Sequence, residues 1–188
     1  MIFPLQDGNF IVGFHYRADH EGPLVVLLHG ASDSHTVFDF APGFRVAHGL
    51  ARQGFEVLTL DPVGYGQASR PNGDTLTFGL SSGYVHEVIK GVRAGALGQV
   101  VSTVVLLGPS AGADVAIVEA GTYHDIDGVI VCFHTARLQP ELSKVDVDTW
   151  VFSRAITFDF GIDFRTRFFT LSRGRSIPSL TWTTRPVS

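Results

Sequence analysis

A chain of 188 residues, 45% hydrophobic and 17% charged, with a formal net charge of −4, has the size and composition of one globular domain with a substantial core. That balance, with no basic block, excludes nucleic acid or an anionic membrane as the main partner. A single cysteine, Cys132, excludes an internal disulfide or a cysteine-built metal cluster, and no apolar run is long enough to span a bilayer.

The N-terminus has neither a basic leader nor a sustained apolar stretch, so a cytoplasmic protein is expected. Residues 1–5 and 10–16 read as two short strands around the turn Gln6-Asp7-Gly8-Asn9. Leu24 to Leu28 is a continuous apolar strand ending in His29-Gly30-Ala31-Ser32. A helix follows within 36–53, its first part broken by Pro42 and Gly43. The β-rich run 55–60 ends at Asp61 and opens into a loop rich in glycine and proline, 62–71. Leu80, Tyr84, Val85, Val88, Ile89 and Val92 recur at helical spacing within 77–96. Another apolar strand, 104–107, runs into Gly108-Pro109-Ser110-Ala111-Gly112 and a helix to about Gly121, and a last strand covers 128–133. Strands alternating with helices predict an α/β fold, a mostly parallel sheet of about six strands with helices on both faces.

The junction at 104–113 carries the chemistry. G-x-S-x-G between a buried strand and a helix puts a serine at the tip of a tight turn, open to substrate on one side and a base on the other. Gly108 and Gly112 let helix and strand approach closely. The Ala111 N–H, at a helix N-terminus, is placed to stabilise an oxyanion. The same serine could instead simply cap the helix.

Three motifs, in order and each just past an apolar strand, give a pattern that resembles the α/β-hydrolase superfamily. They are Leu28-His29-Gly30, Asp61-Pro62-Val63-Gly64-Tyr65-Gly66 with Ser69 close behind, and Gly108 to Gly112. Ser69 stands one residue beyond that family's spacing. The resemblance covers 1–134 as a hydrolase core. It implies Ser110 as nucleophile, with oxyanion donors from Ala111 and from Ala31 or Ser32. It further implies that His29 holds its loop, with Gly30, and that Asp61 shapes the loop over the site. No cofactor and no metal are expected. A glycine-rich nucleotide site is rejected, because Gly64-Tyr65-Gly66 leads to Pro71 and not into a helix.

The resemblance also implies an acid and a histidine after Ser110, and there the chain has only His124 and His134. His124 falls where the elbow helix ends, at the wrong edge of the sheet. His134 is at the right end of its strand, although the family's base comes from further downstream. His35 either lines the pocket or lies at the surface, Cys132 reads as core, and His15, His20, His48 and His86 read as ordinary surface or strand histidines. The aromatic-rich segment 135–171 is expected as a lid and 172–188 as a disordered tail. The core is thus expected to stop before its last strands.

Two functions are carried forward. One is serine hydrolysis of a small hydrophobic ester, amide or lactone, doubtful in this chain for want of the histidine. The other is a small-molecule-binding pseudoenzyme or a truncated product. With no later strand visible, the apolar edge at 128–133 is expected to be covered by the C-terminal segment or to pair with another chain.

Overall fold

The computed structural model describes residues 1–132 and, as strand backbone, 151–158 and 166–172. One sheet of eight strands runs in the order β1-β2-β4-β3-β5-β6-β8-β7. The strands are β1 Ile2–Pro4, β2 Phe10–Tyr16, β3 Leu24–Leu28, β4 Glu56–Asp61, β5 Val104–Pro109, β6 Gly128–Cys132, β7 Val151–Phe158 and β8 Thr166–Ser172. The central four, β4, β3, β5 and β6, pair in parallel, and the outer strands pair antiparallel.

The alternation within β3 explains why helices cover both faces. Leu24, Val26 and Leu28 enter the larger core, with residues of α2 (Phe78–Arg93) and α3 (Ala111–Tyr123). Val25 and Leu27 enter a smaller core on the other face, with Phe38 and with Ala47 of α1 (Val46–Arg52). A strand buried on both sides reads as a continuous apolar run, and β3 does. The side chain of Thr77 caps α2 by accepting from the Leu80 N–H at 3.1 Å. α3 is buried from Gly112 to Gly121, which suits a helix packed on β3, β5, β6 and α2 at once.

The six strands read from the sequence are β1 to β6. The last two lie in the stretch expected as a lid, and they supply the first of the two outcomes expected for the edge at 128–133, cover by the C-terminal segment. β8 pairs with β6 from Gly128↔Ser172 to Val131↔Phe169, so the backbone row offered for pairing with another chain is occupied within this one. Aromatic and β-branched residues such as Phe168, Phe169 and Thr170 favour a strand as readily as an apolar cover. The rest of 135–171, and 173–188, fall outside the described residues. No helix among the described residues is long and apolar enough to cross a membrane.

Candidate active site

Parallel strands in register bring their carboxyl ends to one edge, and there the loops after β3, β4 and β5 meet. Ser110 stands at the junction of β5 and α3 with φ 50° and ψ −123°, in the region L-residues avoid. Such a conformation costs about 1–3 kcal/mol and persists only where its surroundings over-determine it. Here they do. The Ser110 N–H donates to the Cys132 carbonyl at the end of β6, at 3.1 Å. Its own carbonyl accepts from the N–H groups of Ala113, at 2.8 Å, and Asp114, at 3.2 Å.

The two elbow glycines hold that junction together. A Cβ on Gly108 would lie 2.3 Å from the Gly112 carbonyl carbon. One on Gly112 would lie 2.2 Å from the Leu28 carbonyl oxygen and 2.8 Å from that of His29. α3 therefore starts against the backbone of both β5 and β3, closer than any side chain permits. Gly30 faces the same point, where an added Cβ would stand 3.8 Å from Ser110 Cβ.

Around this junction lies a small cleft of about 50 Å³. Leu28, His29, Gly30 and Ala31 line it from the end of β3, Pro62 and Tyr65 from the loop after β4, Phe78 and Ser81 from α2, and Ala111, Gly112 and Val115 from α3. Both loop sides expected to supply oxyanion donors are thus represented, by Ala31 and Ala111. Ser32 is exposed and is not among the lining residues. As residues of the first turn of α3, Ala111 and Gly112 have no carbonyl four residues back to bond within the helix. Ser110 itself is exposed. No hydrogen bond to its hydroxyl occurs among the described residues, and His134 lies outside them.

His29 is buried, and its Nδ1 bonds the Gly30 carbonyl at 2.7 Å. The ring meets Tyr65 edge-on, with centroids 5.1 Å apart. Asp61 is wholly buried and gathers three hydrogen bonds. Its Oδ1 accepts from the His35 N–H at 2.7 Å, and its Oδ2 from the Gln67 N–H at 2.9 Å and from His35 Nδ1 at 2.9 Å. Burial would raise this carboxyl, but the backbone bonds from His35 and Gln67, with the His35 ring, outweigh it and hold it below the usual range. Gly66, at φ 49°, passes so close that a Cβ would sit 2.0 Å from Asp61 Oδ2. The carboxylate thus binds the loops after β3 and β4 into one wall.

His35 is the residue that sequence reasoning left undecided. It is the main partner of Asp61 and stacks on Phe14 at 3.6 Å. Nothing local could have announced a pairing across 26 residues. Ser69, one place off its expected spacing, still closes its loop. Its hydroxyl accepts from the Phe10 N–H at 2.8 Å and donates to the Phe10 carbonyl at 3.1 Å. Cys132 is core, its thiol pushed up to about 12 by burial.

Parallel strands between helix layers, with a strained turn holding a serine at their carboxyl edge, define an α/β hydrolase. Residues 19–160 match the family described as serine aminopeptidase, S33, and the chain belongs to that hydrolase family. Solved structures share the fold. The α/β hydrolase GrgF from Penicillium sp. sh18 superposes with a TM-score of 0.60 at 18% identity, over 70% of this chain and 44% of its own. MGS-M2, an α/β hydrolase from a Medee basin deep-sea metagenome library, gives 0.57 at 22%, over 75% and 46%. The Pyrococcus furiosus esterase Pf2001 gives 0.53 at 21%, over 67% and 47%. The chain thus spans less than half the length of these three proteins. No curated protein sequence matches it.

Proposed function

We propose that Ser110 is the nucleophile of a serine hydrolase acting on a small hydrophobic ester, amide or lactone. The observation that carries this reading is the backbone of Ser110. A strained φ of 50° is held by bonds to β6 and α3, beside a cleft lined by Ala31 and Ala111. An acyl carbonyl seated there would meet the Ser110 hydroxyl, and its oxygen would face the Ala111 N–H and the N–H of the Gly30-Ala31 turn. His29 holds that turn through the Gly30 carbonyl, and Asp61 ties it to the loop above. Apolar lining from Leu28, Pro62, Phe78 and Val115 favours a substrate with a hydrophobic acyl or alcohol part. In this scheme a base takes the serine proton and the serine oxygen attacks the carbonyl carbon. The C–O or C–N bond then breaks, the alcohol or amine leaves with that proton, and water hydrolyses the acyl-enzyme to the acid, regenerating the serine.

A second reading rests on one feature of the same site, the lack of any hydrogen bond to the Ser110 hydroxyl among the described residues. A cleft that keeps its oxyanion donors without a base binds carbonyl ligands without turning them over. A fluorophosphonate probe separates the two. Labelling of Ser110 faster than that of free serine, and lost in Ser110→Ala, is the expected result. Labelling no faster than free serine would leave a binding site only.

A further inference from the structure

At the other end of α3 from Ser110, three side chains from separate elements converge. His86 comes from α2, Glu119 from the last turns of α3 and Asp125 from the turn after it. Glu119 stands nine residues after Ser110, about 14 Å further along the axis of α3. His86 Nδ1 lies 3.0 Å from Asp125 Oδ2 and 3.7 Å from Glu119 Oε1, and one donor atom from each residue falls within 4.8 Å of the others.

Glu119 is the anomaly that demands an explanation. Its side chain is 0% exposed, and neither carboxylate oxygen has a hydrogen-bond partner among the described residues. His86 Nδ1 and Asp125 Oδ1 are likewise buried without one. A buried ionised carboxylate without a partner is among the costliest things a protein can keep. Two occupants relieve it: a proton shared with Asp125, or a cation.

We propose that His86, Glu119 and Asp125 form a structural site for a divalent cation of the zinc class, clamping the end of α3 to α2. The donor set is one imidazole nitrogen and two carboxylates, which suits zinc and leaves a fourth position for water. Ligands about 2.1 Å from a tetrahedral metal stand roughly 3.4 Å from one another, a value that the 3.0 and 3.7 Å separations bracket. Two carboxylates neutralise the charge of the cation. Side-chain exposures of 21% at His86 and 25% at Asp125 leave an entry path that Glu119 alone would not.

The surroundings hold the donors in place. The His86 ring stacks on Tyr123 with centroids 3.8 Å apart and planes at 7°. The Arg93 guanidinium, two turns past His86 on α2, donates to the Asp125 carbonyl at 2.7 and 3.0 Å and to Asp127 Oδ2 at 2.8 Å, fixing the loop that carries Asp125. Outer contacts of this kind orient ligating groups in metal sites.

The test uses the 188-residue chain, freed of metal with a chelator and dialysed against Zn²⁺, with Co²⁺ as the spectroscopic stand-in. One tightly bound equivalent, an intense tetrahedral cobalt spectrum and a raised Tm are expected. Glu119→Gln and His86→Gln should each weaken binding at least about tenfold, since even outer partners of a ligand are worth 10–100-fold. His48→Ala, on the unrelated surface pair of His48 with Asp39, should leave binding unchanged. If Glu119→Gln does not fold, the partly exposed His86 gives the same readout. Wild-type binding no tighter than that of His86→Gln would overturn the proposal and leave a proton shared between Glu119 and Asp125.

Discussion

Replacing Gly112 with alanine tests whether the close approach of α3 to β3 builds the site. The added Cβ would start 2.2 Å from the Leu28 oxygen, where ordinary contact begins at 3.4 Å. Neither partner is a flexible side chain. The obstacles are the backbone oxygens of Leu28 and His29, so the helix start and the strand must part. Overpacking of this kind costs about 1–3 kcal/mol, and the rigid partners put this case at the upper end. Helix propensity works the other way, by at most about 1 kcal/mol for glycine to alanine. The net loss should be about 2 kcal/mol, which with a urea m-value of about 2 kcal/mol/M lowers the midpoint by roughly 1 M. Gly91 of α2 supplies the control, since a Cβ there meets only Ala96 Cβ at 3.8 Å. Gly91→Ala should therefore stabilise, and the two substitutions should differ in sign. Labelling of Ser110 should fall in Gly112→Ala and be unchanged in Gly91→Ala. A Gly112→Ala protein as stable as wild type, with its labelling intact, would refute the reasoning.

Asp61→Asn should destabilise by about 1–3 kcal/mol, because an amide turns N–H groups towards donors that the carboxylate accepts. The folded value of Asp61 is depressed, so its stabilisation is full above about pH 4 and is lost as pH falls through the native value. Asp61→Asn should remove that part of the acid limb in urea titrations run across this range, and an unchanged limb would count against the three-bond arrangement. Hydrogen exchange should show slow amides throughout β6 at all protein concentrations, because β5 and β8 flank it. Protection that appears only on concentration would mean that another chain supplies the partner.

The parallel centre of the fold was legible because its signals are local. Continuous apolar runs marked β3 and β5, a β-rich run marked β4, helical spacing marked α2, and glycines at 108 and 112 marked a close approach that the 2.2 and 2.3 Å clearances make concrete. Long-range pairings were not legible. No pattern near His35 tells of Asp61, and none near His86 tells of Glu119 and Asp125, since each pair is made by topology. The strand that covers the edge at β6 was not legible for a related reason. Alternation in 151–172 is blurred by aromatic residues, and a strand that joins from downstream has no turn signal tying it to β6.

The strongest separation between the two functional readings comes from how catalytic groups fail together. In serine hydrolases the nucleophile and base act as a unit, and losing one costs about as much as losing both. What survives without them, about 10³–10⁴-fold over water, comes from the oxyanion donors and binding. The geometry here divides along the same line. Ser110, Gly112 and the β3 turn are fixed by backbone contacts among the described residues, whereas nothing among those residues bonds the serine hydroxyl. If no base serves Ser110, Ser110→Ala should leave the slow hydrolysis of an activated hydrophobic ester within about twofold. Gly112→Ala, which displaces the proposed oxyanion donors, should reduce it by about 10²-fold or more. If a base does serve it, Ser110→Ala should itself remove most of the rate, and His134→Ala then asks whether that residue is the base. The rates of these three variants, measured on one ester at pH 8, decide whether the strained serine performs chemistry or only shapes the cleft. A large loss in Ser110→Ala would sink the claim that the donors act alone. Equal rates in wild type and Gly112→Ala would sink the claim that they act at all.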